Sequence, residues 1–299
     1  MKIAQPPAAF EGAPANMIKQ TTVTRLCYSA LEDTLLAVDE PTVNSLYACH
    51  SPEHVDAVLN GKALNGFHNR DYQYVQHALQ SCSALYVAAV AALQAREGHR
   101  VACAPVSGFH HAGWEYCSGY CTFNGLMMTA VQLSKLGLVD RMLVIDGDAH
   151  YGDGTEDIIQ HLALTNVDTL HLDKVSVDGD ALRAQRTLLN KLSKVSDYDL
   201  VLYQAGADAH IEDPYMQGYL TDAEWRARDT SVFAACHDAN VPLVWDLAGG
   251  YGRKTIHLHM NTFESALRVY EPESYRLMHG LDLCTSTVAL PNPDLSDPE

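Results

Sequence analysis

The sequence predicts an α/β fold, a three-layer αβα sandwich around a central, mostly parallel sheet. Three observations carry this expectation. Short apolar runs rich in β-branched residues recur along the chain, helix-length stretches separate them, and each run ends in glycine or polar residues. Strands alternating with helices favour a parallel sheet covered on both faces.

The apolar runs are RVACAPVSG (100–108), RMLVIDGD (141–148), DTLHLD (168–173), DLVLYQAGAD (199–208) and VPLVWDLAGG (241–250). Each is too short for a helix and reads as a buried strand. Helices are expected at TFNGLMMTAVQLSKLG (122–137), DALRAQRTLLNKLSKV (180–195) and TDAEWRARDTSVFAACHDA (221–239). The last opens with Thr221 and carries Glu224 three residues on, the signature of a capping box. No repeat, low-complexity tract or linker interrupts residues 20–290, so the 299 residues read as one domain. The Pro-rich ends, 1–18 and 290–299, are expected to be loosely ordered.

Composition excludes some functions. Acidic residues outnumber basic ones 37 to 20, for a formal net charge of −17. Phosphate binding needs clustered Lys and Arg, so nucleic acid is not an expected partner. No apolar run approaches membrane-spanning length and neither end reads as a targeting signal, so a cytoplasmic protein with no membrane partner is expected. The eight cysteines include no C-x-x-C pair, and Cys117 and Cys121 read as packing thiols rather than a zinc knuckle.

The reactive-looking residues gather after the apolar runs. His110 and His111 follow the first, Asp146, Asp148, His150 and Asp153 the second, Asp208 the fourth and Tyr251 the fifth. In open α/β sheets, ligands bind beyond the carboxyl ends of the strands. Three carboxylates and an imidazole within eight positions at the end of a buried strand need a compensating charge. Asp148 and His150, two apart, can point the same way, and Asp208 can supply a third ligand. Two carboxylates and an imidazole leave a coordination position open, as a catalytic zinc site requires. His110 and His111 can each donate an N–H to Asp146 or Asp153, suiting them to acid–base work beside a metal.

Four blocks, GFHHAGWEYCSGYCTFN (108–124), DGDAHYGDGTED (146–157), AGADAHIEDP (205–214) and LAGGY (247–251), resemble, in order, the signature blocks of the zinc-dependent histone deacetylase family. That family includes bacterial acetylpolyamine amidohydrolases and shares its fold with arginase. The resemblance covers roughly residues 45–270 and implies roles for particular residues. Asp148, His150 and Asp208 fall on the zinc ligands, one ion per chain, with Fe(II) able to serve instead. His110 pairs with Asp146; His111, paired with Asp153, is the general base and later acid. Tyr251 falls on the tyrosine that hydrogen-bonds the substrate carbonyl and its oxyanion. Gly119, Tyr120, Tyr215, Gly249 and Gly250 fall on the substrate pocket, and Thr169 on a structural potassium site.

The chain also departs from the family. Tyr151 stands where many relatives have a second His, and Ala248 where one branch has Glu before Gly-Gly-Tyr. The connection over 172–198 is shortened and lacks the glycine-rich stretch that contributes to one wall of the acyl-lysine tunnel, and the usual His-x-x-Pro-Glu loop is missing. His210 replaces the second Asp of arginase's binuclear site, favouring one metal. The expected function is zinc-dependent hydrolysis of N-acetyl amides, with acetyl-lysine or a small acetylated amine such as a polyamine as partner. The alternatives are another acyl group or an ester, or a member that binds acyl ligands or a partner protein without turnover. No dimerisation insert is evident, and the oligomeric state is not set by the sequence.

Overall fold

The computed structural model describes residues 1–30, 35–39, 43–215 and 217–281. Its strands are β1 (Lys2–Ala4), β2 (Leu35–Leu36), β3 (Val101–Ala104), β4 (Met142–Asp146), β5 (Val167–His171), β6 (Leu200–Gln204) and β7 (Leu243–Asp246). Helices α1 (Ala15–Ala30), α2 (Val43–Leu46), α3 (Pro52–Leu59) and α4 (Tyr72–Gln94) precede β3. Then come α5 (Gly125–Lys135), α6 (Asp153–His161), α7 (Ala181–Leu192), α8 (Asp222–Asp238), α9 (Thr255–Tyr270) and α10 (Pro272–Leu281). The strands form one seven-stranded sheet in the order β2-β1-β3-β7-β6-β4-β5. Every pairing is parallel, so the mostly parallel sheet expected from the sequence is parallel throughout.

The two-residue period of a strand divides the core into two layers. Ala102, Ala104, Met142, Val144, Leu200, Leu202 and Val244 face one side, against Leu85, Ala88 and Ala92 of α4 and Leu126 and Met127 of α5. Their neighbours Val101, Cys103, Leu143, Ile145, Val201, Tyr203, Leu243 and Trp245 face the other, against Leu188 of α7, Phe233 of α8 and Phe263 of α9. Helix starts follow side-chain chemistry. Asn124 accepts from Met127 N–H at 3.0 Å, and Thr221 and Glu224 form the reciprocal box expected of them.

The opening residues correct one expectation. Residues 1–4 are not loose: β1 lies between β2 and β3, Ile3 and Ala4 are fully buried, and Met17 and Lys19 on α1 are also buried. Three residues are too few to show periodicity, and burial by neighbouring strands supplies what local pattern lacks. Residues 290–299 lie outside the described residues. Among the described residues, no helix is long and apolar enough to cross a membrane.

The register brings the functional strand ends into line. Ala104 pairs with Asp246, Asp246 with Gln204, and Gln204 with Asp146, so β3, β7, β6 and β4 end side by side. These strand ends and the segments that leave them carry all the candidate catalytic and metal-binding side chains.

Burial also fixes two histidines in the neutral form. Nε2 of His50 accepts from Asn124 N–H at 2.9 Å, which leaves Nδ1–H to donate to Gly113 O at 2.8 Å. Burial pushes His50 down to about 4, and His77 on α4 likewise. Between pH 6.5, the ordinary value, and about 4, the unfolded chain therefore binds more protons than the folded one. The melting temperature should fall as pH drops through this window, each histidine contributing up to about 1.4 kcal/mol per pH unit. His77→Gln should flatten that limb; if its slope equals that of the parent protein, His77 does not titrate on unfolding.

Candidate active site

A cavity of about 220 Å³ opens at the aligned strand ends, lined by His110, His111, Asp148, His150, Gly249 and Tyr251 among others. Asp148 and Asp208 are buried, and His150 Nδ1 lies 3.0 Å from Asp148 Oδ1 and 3.0 Å from Asp208 Oδ2. One ligand atom from each of these three residues falls within 4.8 Å of the others, the one such group of three among the described residues. Backbone donors orient both acids: Gly249 N–H reaches Asp148 Oδ2 at 3.0 Å and Ala149 N–H reaches Asp208 Oδ1 at 3.2 Å.

The two buried acids resist carrying two negative charges together. Burial, and then the charge of Asp148 beside it, push Asp208 up to about 7. Burial would also raise Asp148, but His110 and His150 outweigh it and hold it below the usual carboxylate range. Such a pair needs a positive partner, and a divalent cation is one that two oxygens and one imidazole nitrogen are suited to bind. The residues present therefore fit a metal ion. His210 does not extend the site: its Nε2 is 2.6 Å from Asp222 Oδ1, and its Nδ1 accepts from Glu212 N–H at 3.2 Å.

Both histidine–aspartate pairs form. His110 Nδ1 is 2.8 Å from Asp146 Oδ2, and His111 Nδ1 is 2.5 Å from Asp153 Oδ1. Burial alone would lower His110, but Asp146 and Asp148 push it up to about 9. The Asp153 side chain is half exposed and that of His111 one-fifth exposed. Gly119, at φ +51°, lies against the His111 ring so closely that a Cβ there would overlap Cδ2. Its neighbour Tyr120 stands at the pocket mouth with Tyr215, and both rings approach Tyr251. Gly250, at φ +128°, completes the turn before Tyr251. Burial first, then Asp148 and Asp208, raise the Tyr251 phenol far above its ordinary value, so it stays protonated. Thr169 sits apart on the edge strand β5, its hydroxyl donating to Glu156 Oε1 at 2.5 Å.

Sequence reasoning missed several supports. Gln204, at the end of β6, donates to Asp146 Oδ1 at 3.0 Å and accepts from Phe109 N–H at 3.1 Å. A glutamine ending an apolar strand was a readable signal. Asp213 accepts from Tyr251 N–H at 2.9 Å and Tyr215 N–H at 3.1 Å. Lys19, from the first helix, donates to Ala248 O at 2.6 Å and clamps the turn that carries Gly249 and Tyr251. Burial brings it down to about 8, against the opposing pull of Asp208, Asp148, Asp246 and Asp213. Nothing near Lys19 in the sequence announces this contact. Arg228 of α8 donates to Gly147 O at 2.8 Å, bracing the loop before Asp148.

Residues 14–172 match the model of the histone deacetylase domain. The chain belongs to that family. The matched stretch holds both histidine–aspartate pairs, Asp148 and His150; Asp208 and Tyr251 lie beyond it. An uncharacterized protein of Picosynechococcus is 29% identical over 70% of this chain and 75% of its own length. Histone deacetylase 2 of Arabidopsis thaliana is 28% identical over 54% of this chain, and acetylpolyamine amidohydrolase of Mycoplana ramosa 25% over 54%. The matches span 47% and 55% of those two enzymes, whose names describe hydrolysis of amide C–N bonds. In structure, the HDA15 HD domain superposes with a TM-score of 0.69 at 18% identity, covering 95% of this chain and 97% of that domain. Acetylpolyamine aminohydrolase from Burkholderia pseudomallei gives 0.69 at 14% identity, covering 90% and 99%. These superpositions show the shared fold.

Proposed function

We propose that this histone deacetylase family member hydrolyses N-acetyl amides, either acetyl-lysine or a small acetylated amine, with zinc at Asp148, His150 and Asp208. The observation that carries the reading is the meeting of that ligand triad with both histidine–aspartate pairs and Tyr251 around one cavity. Zinc bound there would supply Lewis acidity, polarising a carbonyl and acidifying water.

The side chains divide the remaining work. Asp153 takes the Nδ1–H of His111, leaving Nε2 with its lone pair as the general base for the attacking water. The same nitrogen then returns the proton to the leaving amine. His110, locked to Asp146 through Nδ1, lies beside Asp148 and is placed to support the charge that develops at the reacting carbonyl. Tyr251, kept as a neutral phenol, donates to the oxygen on which negative charge develops.

Protein stripped with a chelator and titrated with Zn²⁺ should take up one ion per chain and release acetate from N-acetyl amines. Metal binding should also raise the melting temperature, by the equivalent of about 4 kcal/mol at free metal a thousandfold above Kd. Asp208→Ala should lose both effects. A chain that takes up neither Zn²⁺ nor Fe²⁺ ends this reading. Metal uptake without turnover across a panel of acyl amides and esters would replace it with a binding role.

A further inference from the structure

We infer that the hydroxyls of Tyr120 and Tyr215 form a latch across the pocket mouth, and that this latch favours slender, free acylated amines over acyl-lysine carried on a polypeptide. The inference rests on the amide-hydrolase reading above and adds the class of substrate that the site admits.

The two hydroxyl oxygens are 3.1 Å apart. Both rings also stand against Tyr251, Tyr215 edge-on with centroids 4.6 Å apart and Tyr120 tilted at 5.8 Å. Tyr120 and Tyr215 are 40% and 49% exposed whereas Tyr251 is partly buried, so the bridged pair marks the mouth and Tyr251 lies further in.

The two halves of the latch are held differently. Tyr120 is a fixed post, at φ +64° in a turn closed by Cys121 N–H to Ser118 O at 2.7 Å. Its own N–H donates to Gly66 O at 3.1 Å, and its ring packs on Phe67 at 5.4 Å. A non-glycine residue in the left-handed region persists where its surroundings over-determine it. Tyr215 follows Pro214, and its backbone is tied to Asp213, the carboxylate that also holds the backbone of Tyr251. Opening therefore falls to the Tyr215 side chain, through a rotamer change that leaves the Tyr251 turn in place.

On this inference an N-acetylated alkyl amine, one methylene chain wide, enters the cavity of about 220 Å³ beside the bridged hydroxyls and leaves them joined. A lysine within a peptide brings main chain and neighbouring side chains to the rim, and these must displace the bridge. One net hydrogen bond corresponds to roughly a threefold to tenfold factor.

The test compares kcat/KM of the zinc-loaded enzyme for an N-acetylated linear diamine and an acetyl-lysine peptide, in wild type, Tyr120→Phe, Tyr215→Phe and the double variant. Wild type should prefer the diamine. Either single change should raise the peptide-to-diamine ratio about threefold to tenfold, through the peptide KM. The double variant should gain no more than either single one, because both remove the same bond. An unchanged ratio in the single variants, or effects that multiply in the double variant, would overturn the latch. Should neither substrate turn over, the hydrolase reading fails, and the same ratio taken from calorimetric Kd values still decides the latch.

Discussion

Tyr251→Phe should lower kcat by about 10²–10³ while leaving metal content unchanged. The substitution removes one hydroxyl and keeps the ring, so the packing of Tyr215 at 4.6 Å and Tyr120 at 5.8 Å is preserved. The Tyr251 backbone remains anchored to Asp213. What is lost is a neutral donor whose proton is held in place by burial and by the nearby charges of Asp148 and Asp208. A donor of this kind acts on charge that develops in the transition state, so the loss should appear in kcat more than in KM. Turnover numbers and metal analysis on the same preparation check it. Full activity in a metal-loaded variant would remove Tyr251 from the oxyanion site.

Gly249→Ala should abolish metal binding and cost at least about 10² in kcat/KM, since displacements on the order of 1 Å have that effect in reacting geometries. A Cβ at this position would lie 2.5 Å from Asp208 Oδ2 and 2.7 Å from Asp148 Oδ2. Both oxygens belong to acids of the candidate ligand triad, and the Gly249 N–H itself orients Asp148 at 3.0 Å. Both acids are buried, with little room to yield. Gly249 is not among the positive-φ residues, so the backbone itself tolerates alanine and the fault is confined to the ligands. Circular dichroism should show a folded chain, and a zinc titration should show weak or absent uptake. Uptake equal to that of the parent protein would mean that the acids give way.

These two cases show what could be read in advance. The tyrosine was legible because it follows a buried apolar run and closes the LAGGY block (247–251), which resembles a signature block of the family. The role of Gly249 as the surface against which two carboxylates rest was not legible, because Asp148, Asp208 and Gly249 are brought together from three separate strand ends. Lys19 gave even less warning. Its target, Ala248 O, is 229 positions away, and a lone lysine in an early helix has no local feature pointing there. The first strand was misread as a loose end for a related reason, since Lys2–Ala4 is held by pairing with β2 and β3 rather than by any pattern of its own.

Local chemistry written in order along the chain settled the alternation of buried strands with helices, the Thr221 capping box and the polar residues that end each run. Alternation, run length and capping depend on neighbours a few residues away, so the sequence alone determines them. Tertiary structure decided the strand order, the flush alignment of Asp146, Gln204, Asp246 and Ala104, the burial of Lys19 beneath the Tyr251 turn, and the meeting of the Tyr120 and Tyr215 hydroxyls. Each of these depends on distances between residues far apart in the chain, which are fixed only when the sheet register and the two packed helical layers close around it.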